Sequence, residues 1–496
     1  MTVGDHVARG AAWMLLYRLG DRLLGVISTI VLARLLVPGD FGVLAMAMSV
    51  IGLLEIASTF GLEVALIQRK DARREHYDTV WTLNLIFAGG CGLAMLAAAY
   101  PAAVFYSEPR LVPVIATLAG AWSIQALENI GVVDFRKRLE FRRDFLYLSV
   151  KRVAQFVIVI VLARVLSSYW ALVLGIFLHR IFGVAISYIV SSFRPRLSLA
   201  AKSDLLHFSS WMFVNNLIGF ANQRFANFVV GRVAGPTALG IYTVSSEISS
   251  VPTVELVMTA NRAVFAGYAH VSHEPQRLRA AYQQVLGSVA LFVLPAAVGL
   301  ACVAPLLVQL VLGAKWSQAA PMVAILALSG GLFALGAATG SVLLALGRVH
   351  QMSMLTAIRC VLIVGGMSLL IRNYGMRGAA LSELAATAIY LPLSFALTAR
   401  PLAMSIADFL GAFWRPGAAT LAMYLALGQF ESRWGEPLAA STAGLFRQLG
   451  VRVGLGALLY TGVLVALWFL SGSPKESAER GLIDRIRTAS ASWRKH

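Results

Sequence analysis

A chain of 496 residues that is 58% hydrophobic and only 13% charged, with a mean hydropathy of +0.74, carries more apolar surface than soluble domains can cover, so it belongs in a membrane. Its formal charge of +18 does not point to nucleic acid, because the basic residues fall between apolar runs and form no single stripe with interleaved aromatics. Cys91, Cys302 and Cys360 stand singly in apolar stretches, which argues against a disulfide framework or a metal site and reads them as packing residues.

A transmembrane helix needs roughly 20 mostly apolar residues. By that ruler about fourteen helices are predicted, starting near residues 11, 41, 80, 111, 145, 169, 209, 239, 286, 320, 354, 375, 413 and 449. The first run is longer than the apolar part of a signal peptide, and no small-residue cleavage site follows it, so it reads as a retained span. Basic residues gather in alternate connections: Arg69, Lys70, Arg73 and Arg74, then Arg136, Lys137, Arg138, Arg142 and Arg143, then Arg194, Arg196 and Lys202. Cytoplasmic loops retain positive charge, so these loops and, with an even helix count, both termini are expected in the cytoplasm. The connections are too short to hold a folded soluble domain. Residues 194–208, RPRLSLAAKSDLLHF, mix leucine with basic residues and read as an interfacial cytoplasmic linker.

Residues 31–44, VLARLLVPGDFGVL, align without a gap over residues 229–242, VVGRVAGPTALGIY. Arg34 meets Arg232, Pro38 meets Pro236 and Gly42 meets Gly240, each between two apolar helices. Six helices separate the copies, so a duplication would place them in the same orientation, as in transporters built from parallel repeats. The expected fold is therefore an all-α integral membrane protein with two parallel six-helix lobes around a central cavity and two further helices. Residues 1–193 form the N-terminal lobe, 209–400 the C-terminal lobe, 401–470 the additional pair, and 471–496 a polar, basic cytoplasmic tail.

Charge inside the spans is the strongest functional signal. A cation at the bilayer centre costs about 2.5–3.5 kcal/mol on insertion scales, so it normally faces a bundle interior or a wet cavity. At 1.5 Å per residue, Arg18 lies roughly 10 Å and Arg22 roughly 16 Å into the first helix, and their spacing puts them with Asp21 on one broad face. Lys151, Arg152, Arg180 and Arg224 are also deep, and the first six helices hold more of this charge than the next six. A basic chamber follows, suited to a phosphate-bearing ligand that arginine can grip through two hydrogen bonds. Asn216, Gln223 and Asn227 make a polar stripe in the seventh helix that fits sugar hydroxyls or, alternatively, interhelical hydrogen bonds. Asp21, Glu55, Glu128, Glu247 and Glu383 are candidates for ion coupling; the alternative is that they pair with the cations and lock helices together. No nucleotide-phosphate loop, zinc-protease motif or nucleophile elbow is present, and the histidines are scattered, so neither an enzyme nor a bound cofactor is expected. Coupling to a proton or sodium gradient stays open.

Residues 31–71, VLARLLVPGDFGVLAMAMSVIGLLEIASTFGLEVALIQRKD, resemble the start of bacterial polysaccharide and O-antigen repeat-unit flippases of the multidrug/oligosaccharidyl-lipid/polysaccharide (MOP) exporter superfamily. Residues 310–351, LVLGAKWSQAAPMVAILALSGGLFALGAATGSVLLALGRVHQ, resemble a later stretch of the colanic-acid exporter branch. The resemblance runs over most of the first 400 residues and departs at NRAVFAGYA, residues 261–269, where a proline is expected in place of Ala266 and a helix bend is in doubt. It implies an inner-membrane flippase for undecaprenyl-diphosphate-linked oligosaccharides, serving exopolysaccharide or lipopolysaccharide assembly by alternating access. A polysaccharide polymerase and a chain-length regulator are the partners it implies. The alternatives are a drug or cation antiporter of the same superfamily, which would want an acidic or aromatic cavity, and a membrane polymerase or ligase.

Overall fold

The structure, a computed structural model, describes residues 3–56, 62–69, 71–202, 210–255, 257, 264, 267–434, 441–473 and 478–481. Among them every regular element is helical: α1 (Val3–Leu35), α2 (Pro38–Ile56), α3 (Leu62–Gln68), α4 (Arg74–Tyr106), α5 (Leu111–Gln125), α6 (Val133–Lys137), α7 (Phe141–Leu166), α8 (Trp170–Val190), α9 (Ser210–Ser250), α10 (Pro275–Val311), α11 (Ala319–Ala345), α12 (Val349–Ala399), α13 (Ile406–Trp434) and α14 (Thr442–Leu470). Large apolar side chains such as Leu93, Val165, Ile189 and Leu470 point outward and exposed. Lipid can cover such a surface and water cannot.

Eight described helices are long and apolar enough to cross a bilayer, and a ninth span forms if α5 and the bent segment Ile130–Lys137 count as one. The remaining long helices, α1, α9 and α13, and the bends within α9 and α12 make the chain consistent with fourteen spans. A straight helix of 51 residues would be roughly 76 Å long, far more than the ~30 Å of hydrocarbon. Gly375 divides α12 at φ 55, and Gly235 divides α9 at φ 80, a left-handed backbone that glycine adopts at little cost. Several helices begin before their apolar runs, α10 at Pro275 and not near residue 286, because polar first turns reach past the hydrocarbon.

The chain divides into two compact units, Met1–Gly240 and Ile241–His496. In the first, Leu32 and Leu36 of α1, Val159 and Ala163 of α7, and Ala171 and Leu172 of α8 form a buried cluster. Both copies of the sequence repeat make a bend. Pro38 opens α2 where its missing N–H is no loss, and Asp40 ties the junction by accepting hydrogen bonds from Val37 N–H at 3.1 Å and Tyr169 N–H at 3.0 Å. The shared glycines pack reciprocally: Gly42 lies against the backbone of Pro236, and Gly240 against the backbone of Pro38. Only a residue without Cβ permits approaches this close.

The second unit packs α10 centrally. Leu291 joins Ala419 and Met423 of α13 and Tyr460 and Leu464 of α14, and the Tyr460 hydroxyl donates to the Leu291 carbonyl at 2.7 Å. Cys91 is buried and Cys302 and Cys360 are half-buried, all as free thiols. The beginning of the 194–208 segment has no regular secondary structure, and α4 holds it: Asp78 accepts from Arg196 N–H at 2.8 Å, Thr82 from Ser198 N–H at 3.0 Å and Thr79 from Ala201 N–H at 3.2 Å. Residues 203–208, most of NRAVFAGYA and most of the tail lie outside the described residues.

Candidate functional site

The membrane-embedded charges of the first unit are organised by α7. Lys151 and Arg152 are consecutive, so the helix turns them to different neighbours. Arg152 reaches α1: its Nε lies 2.7 Å from Asp21 Oδ1, its Nη2 donates to the Asp21 carbonyl at 3.3 Å, and its Nη1 donates to Gln155 Oε1 at 3.0 Å. Asp21, which shares one face of α1 with Arg18 and Arg22, thus pairs with a cation from a distant part of the chain. Arg18 is exposed, and Arg22 is half-buried.

Lys151 turns towards α5. Its Nζ lies 2.7 Å from Glu128 Oε1 and 3.3 Å from the Tyr147 hydroxyl, which itself donates to the same carboxylate. Glu128 stands where the fourth span breaks, at a bend of 64° between α5 and the segment Ile130–Lys137. Asn129 builds that break: its N–H donates to Ser187 Oγ at 2.9 Å, its Oδ1 accepts from Gly131 N–H at 2.9 Å, and its Nδ2 donates to the Phe193 carbonyl at 2.7 Å. A buried asparagine whose side-chain oxygen and nitrogen are both hydrogen-bonded holds the irregular backbone inside the unit.

Arg180 of α8 lies over the Trp122 ring at 5.2 Å, and its Nε is buried without a hydrogen-bond partner. Glu55 of α2 interacts electrostatically with both Arg180 and Arg224. Arg224 is exposed and Asn227 is buried, while the side chains of Asn216 and Gln223 lie outside the described residues. The six expected cations of this unit outnumber by three the expected acids that share it, Asp21, Glu55 and Glu128.

In the second unit the charges close on one another. Arg359 Nη2 lies 3.5 Å from Glu383 Oε1, its guanidinium stands 4.4 Å from the centre of the Phe333 ring, and Tyr242 donates to Glu383 Oε2 at 2.7 Å. Glu247 is half-buried. Among the described residues no group of histidine, cysteine and acid side chains is placed to hold a metal ion.

Gln155, Tyr147, Trp122, Tyr242 and Phe333 are partners that sequence reasoning missed. The first two stand three and four residues from their cations on the same helix, a spacing that reveals them. The others come from distant helices and leave no local signal.

The sequence profile of the polysaccharide biosynthesis protein family matches residues 31–321. The chain belongs to this family. It is 26% identical over 444 residues to the lipopolysaccharide biosynthesis protein WzxC of Escherichia coli (strain K12), covering 86% of this chain and 89% of that one. It is 24% identical over 328 residues to the succinoglycan biosynthesis transport protein ExoT of Rhizobium meliloti (strain 1021), covering 66% of each. Among solved structures, the lipid II flippase MurJ in an inward closed conformation aligns with a TM-score of 0.67 at 14% identity, over 91% of this chain and 98% of that one. An inward-facing multidrug resistance MATE family transporter of the MOP superfamily aligns with a TM-score of 0.59 at 18% identity, over 77% of this chain and 94% of that one. This polysaccharide biosynthesis protein thus has the all-α, multi-pass fold of MOP-superfamily transporters.

Proposed function

We propose that the protein is a flippase that moves undecaprenyl-diphosphate-linked oligosaccharide repeat units across the bacterial inner membrane for exopolysaccharide or lipopolysaccharide assembly. The observation that carries this reading is the positive excess of the first unit, where Arg18, Arg22, Lys151, Arg152, Arg180 and Arg224 outnumber the membrane acids around them. Burying one sugar hydroxyl without a partner costs roughly 2–7 kcal/mol, so an oligosaccharide cannot cross bare lipid. A basic cavity lowers that barrier by giving the diphosphate guanidinium donors and the hydroxyls amide partners such as Asn216, Gln223 and Asn227, while the prenyl chain stays in the bilayer. The names of WzxC and ExoT, in lipopolysaccharide biosynthesis and succinoglycan transport, support the substrate class. Membrane lipids surround the protein, both termini lie in the cytoplasm, and a polymerase and a chain-length regulator act on the product.

The protein works as a transporter by alternating access. Lobes at residues 1–193 and 209–400, with the 401–470 pair beside them, rearrange around the load, and a proton or sodium gradient drives the cycle through one of Asp21, Glu55, Glu128, Glu247 and Glu383. A drug or cation antiporter is the second reading that the MATE likeness raises, and the basic excess opposes it. The test is translocation of a polyprenyl-diphosphate oligosaccharide in proteoliposomes by folded wild type, Arg22→Ala and Arg22→Lys. Loss with alanine and partial recovery with lysine is the expected result; normal transport by both variants removes Arg22 from the substrate path.

A further inference from the structure

A second charged feature of the first unit lies at the beginnings of α1 and α7. The turn between α6 and α7, the first turns of α7 and the beginning of α1 line an open recess of about 560 Å³, whose lining includes Trp13, Leu139, Phe141 and Leu146 with Glu140, Arg142 and Arg143. Its shape follows from local backbone. Leu139 adopts φ 59, which turns the chain sharply after α6, and Glu140 N–H closes the turn on the Phe135 carbonyl at 2.7 Å. The Phe141 ring then lies against the backbone of α1 at Gly10, where any Cβ would overlap it. Trp13 packs on Phe145 at 4.9 Å and forms part of the apolar wall.

The basic residues of this turn are unequal. Arg136 is committed to Glu63 and Asp144, each at 3.5 Å, and Arg138 to Asp134 at 3.2 Å. Arg143 is committed to Glu140 at 2.7 Å, and Lys137 Nζ donates to the Leu66 carbonyl at 3.4 Å. Arg142 is exposed on the recess and has no ion pair among the described residues. The recess therefore combines an apolar wall, an interfacial tryptophan and one guanidinium with no ion pair among the described residues.

The geometry points to a binding site for an anionic phospholipid, with its headgroup phosphate on Arg142 and an acyl chain against Trp13 and Leu146. Charge complementarity selects this occupant: a zwitterionic headgroup brings no net charge to Arg142, while the cytoplasmic leaflet that the proposed orientation assigns to this turn is rich in anionic lipid. Glu140 does not cancel the site, because Arg143 already holds it. The site rests on the proposed orientation for its leaflet alone and requires no transport activity.

The experiment uses the full chain, purified in detergent and titrated with phosphatidylglycerol or phosphatidylcholine, and counts retained lipid by native mass spectrometry. Wild type is expected to retain phosphatidylglycerol in preference, Arg142→Gln to retain about fivefold less of it, and Arg142→Lys and the control Arg138→Gln to resemble wild type. Equal retention of phosphatidylglycerol by wild type and Arg142→Gln overturns the assignment, as does equal retention of the two lipids by wild type. Should Arg142→Gln not fold, quenching in the unaltered protein decides. Chain-brominated phosphatidylglycerol is expected to quench the fluorescence component that Trp13→Phe removes more than brominated phosphatidylcholine does, and equal quenching overturns the site. Either readout can fail while translocation persists, or succeed while it is absent, so it stands apart from the flippase reading.

Discussion

Glu383 offers a quantitative test of how the second unit handles its membrane charge. Its carboxylate lies 3.5 Å from Arg359 Nη2 and accepts the Tyr242 hydroxyl at 2.7 Å, and the Arg359 side chain is only 9% exposed. In Glu383→Leu the buried guanidinium loses that carboxylate and the Tyr242 hydroxyl loses its acceptor. Removing one member of a buried pair typically costs about 3–5 kcal/mol, because a charge is left without its counterion. The Phe333 face, 4.4 Å away, is in contact before and after the substitution and does not offset this, so a loss of about 3–5 kcal/mol is expected. Replacing both partners, in Arg359→Met with Glu383→Leu, removes the stranded charge and should recover most of the loss. Reversible unfolding in mixed micelles of the wild type, Glu383→Leu, Arg359→Met and the double variant measures this as a double-mutant cycle. A single substitution that costs under about 1 kcal/mol, or a double variant less stable than Glu383→Leu, would refute the reasoning.

Adding a methyl group at either shared glycine should strain the paired bends. A Cβ at Gly42 would overlap the Pro236 carbonyl oxygen, and one at Gly240 the Pro38 carbonyl oxygen, so each alanine variant should lose at least about 1–3 kcal/mol in the same unfolding assay; unchanged stability of both would show that the contact is not close. Outside the spans, Arg110 holds the Glu108 carboxyl below its ordinary value by donating from Nε at 2.7 Å and Nη2 at 2.8 Å. Because the folded value is depressed, the pair's contribution is present above the ordinary value of 4.5 and is lost as pH falls through the lowered one. Comparing wild type with Glu108→Gln between neutral and acid pH should show a difference that shrinks with acidification, and a difference that grows would contradict the sign. In transport, Arg180→Ala should depress translocation more than Arg180→Lys, since lysine keeps the charge while losing the planar contact with Trp122; equal rates for both and wild type would make Arg180 structural.

The spans and the paired bends were legible because their signals are local. Pro38 and Pro236 mark helix starts, Gly42 and Gly240 sit one turn further on, and apolar runs mark hydrocarbon. The same hydropathy missed polar helix ends, such as the first turns of α10, because a helix does not stop where its apolar run does. The cations Lys151 and Arg152 could be named from depth alone, but their partners could not. Asp21 and Glu128 come from other helices, and adjacency in space across a bundle leaves no periodic trace in the chain. The irregular backbone after α8 was hidden for the same reason: Asp78, Thr79 and Thr82 accept its hydrogen bonds from α4. Nothing about those side chains shows from sequence that they serve a distant backbone.

The most direct test of the account is the choice of cargo. Wild-type protein in liposomes should translocate a polyprenyl-diphosphate oligosaccharide at a rate well above that of protein-free vesicles and leave a lipophilic cationic dye where it was added. Movement of the dye with no movement of the lipid-linked sugar would contradict the basic-cavity account and favour the cation antiporter.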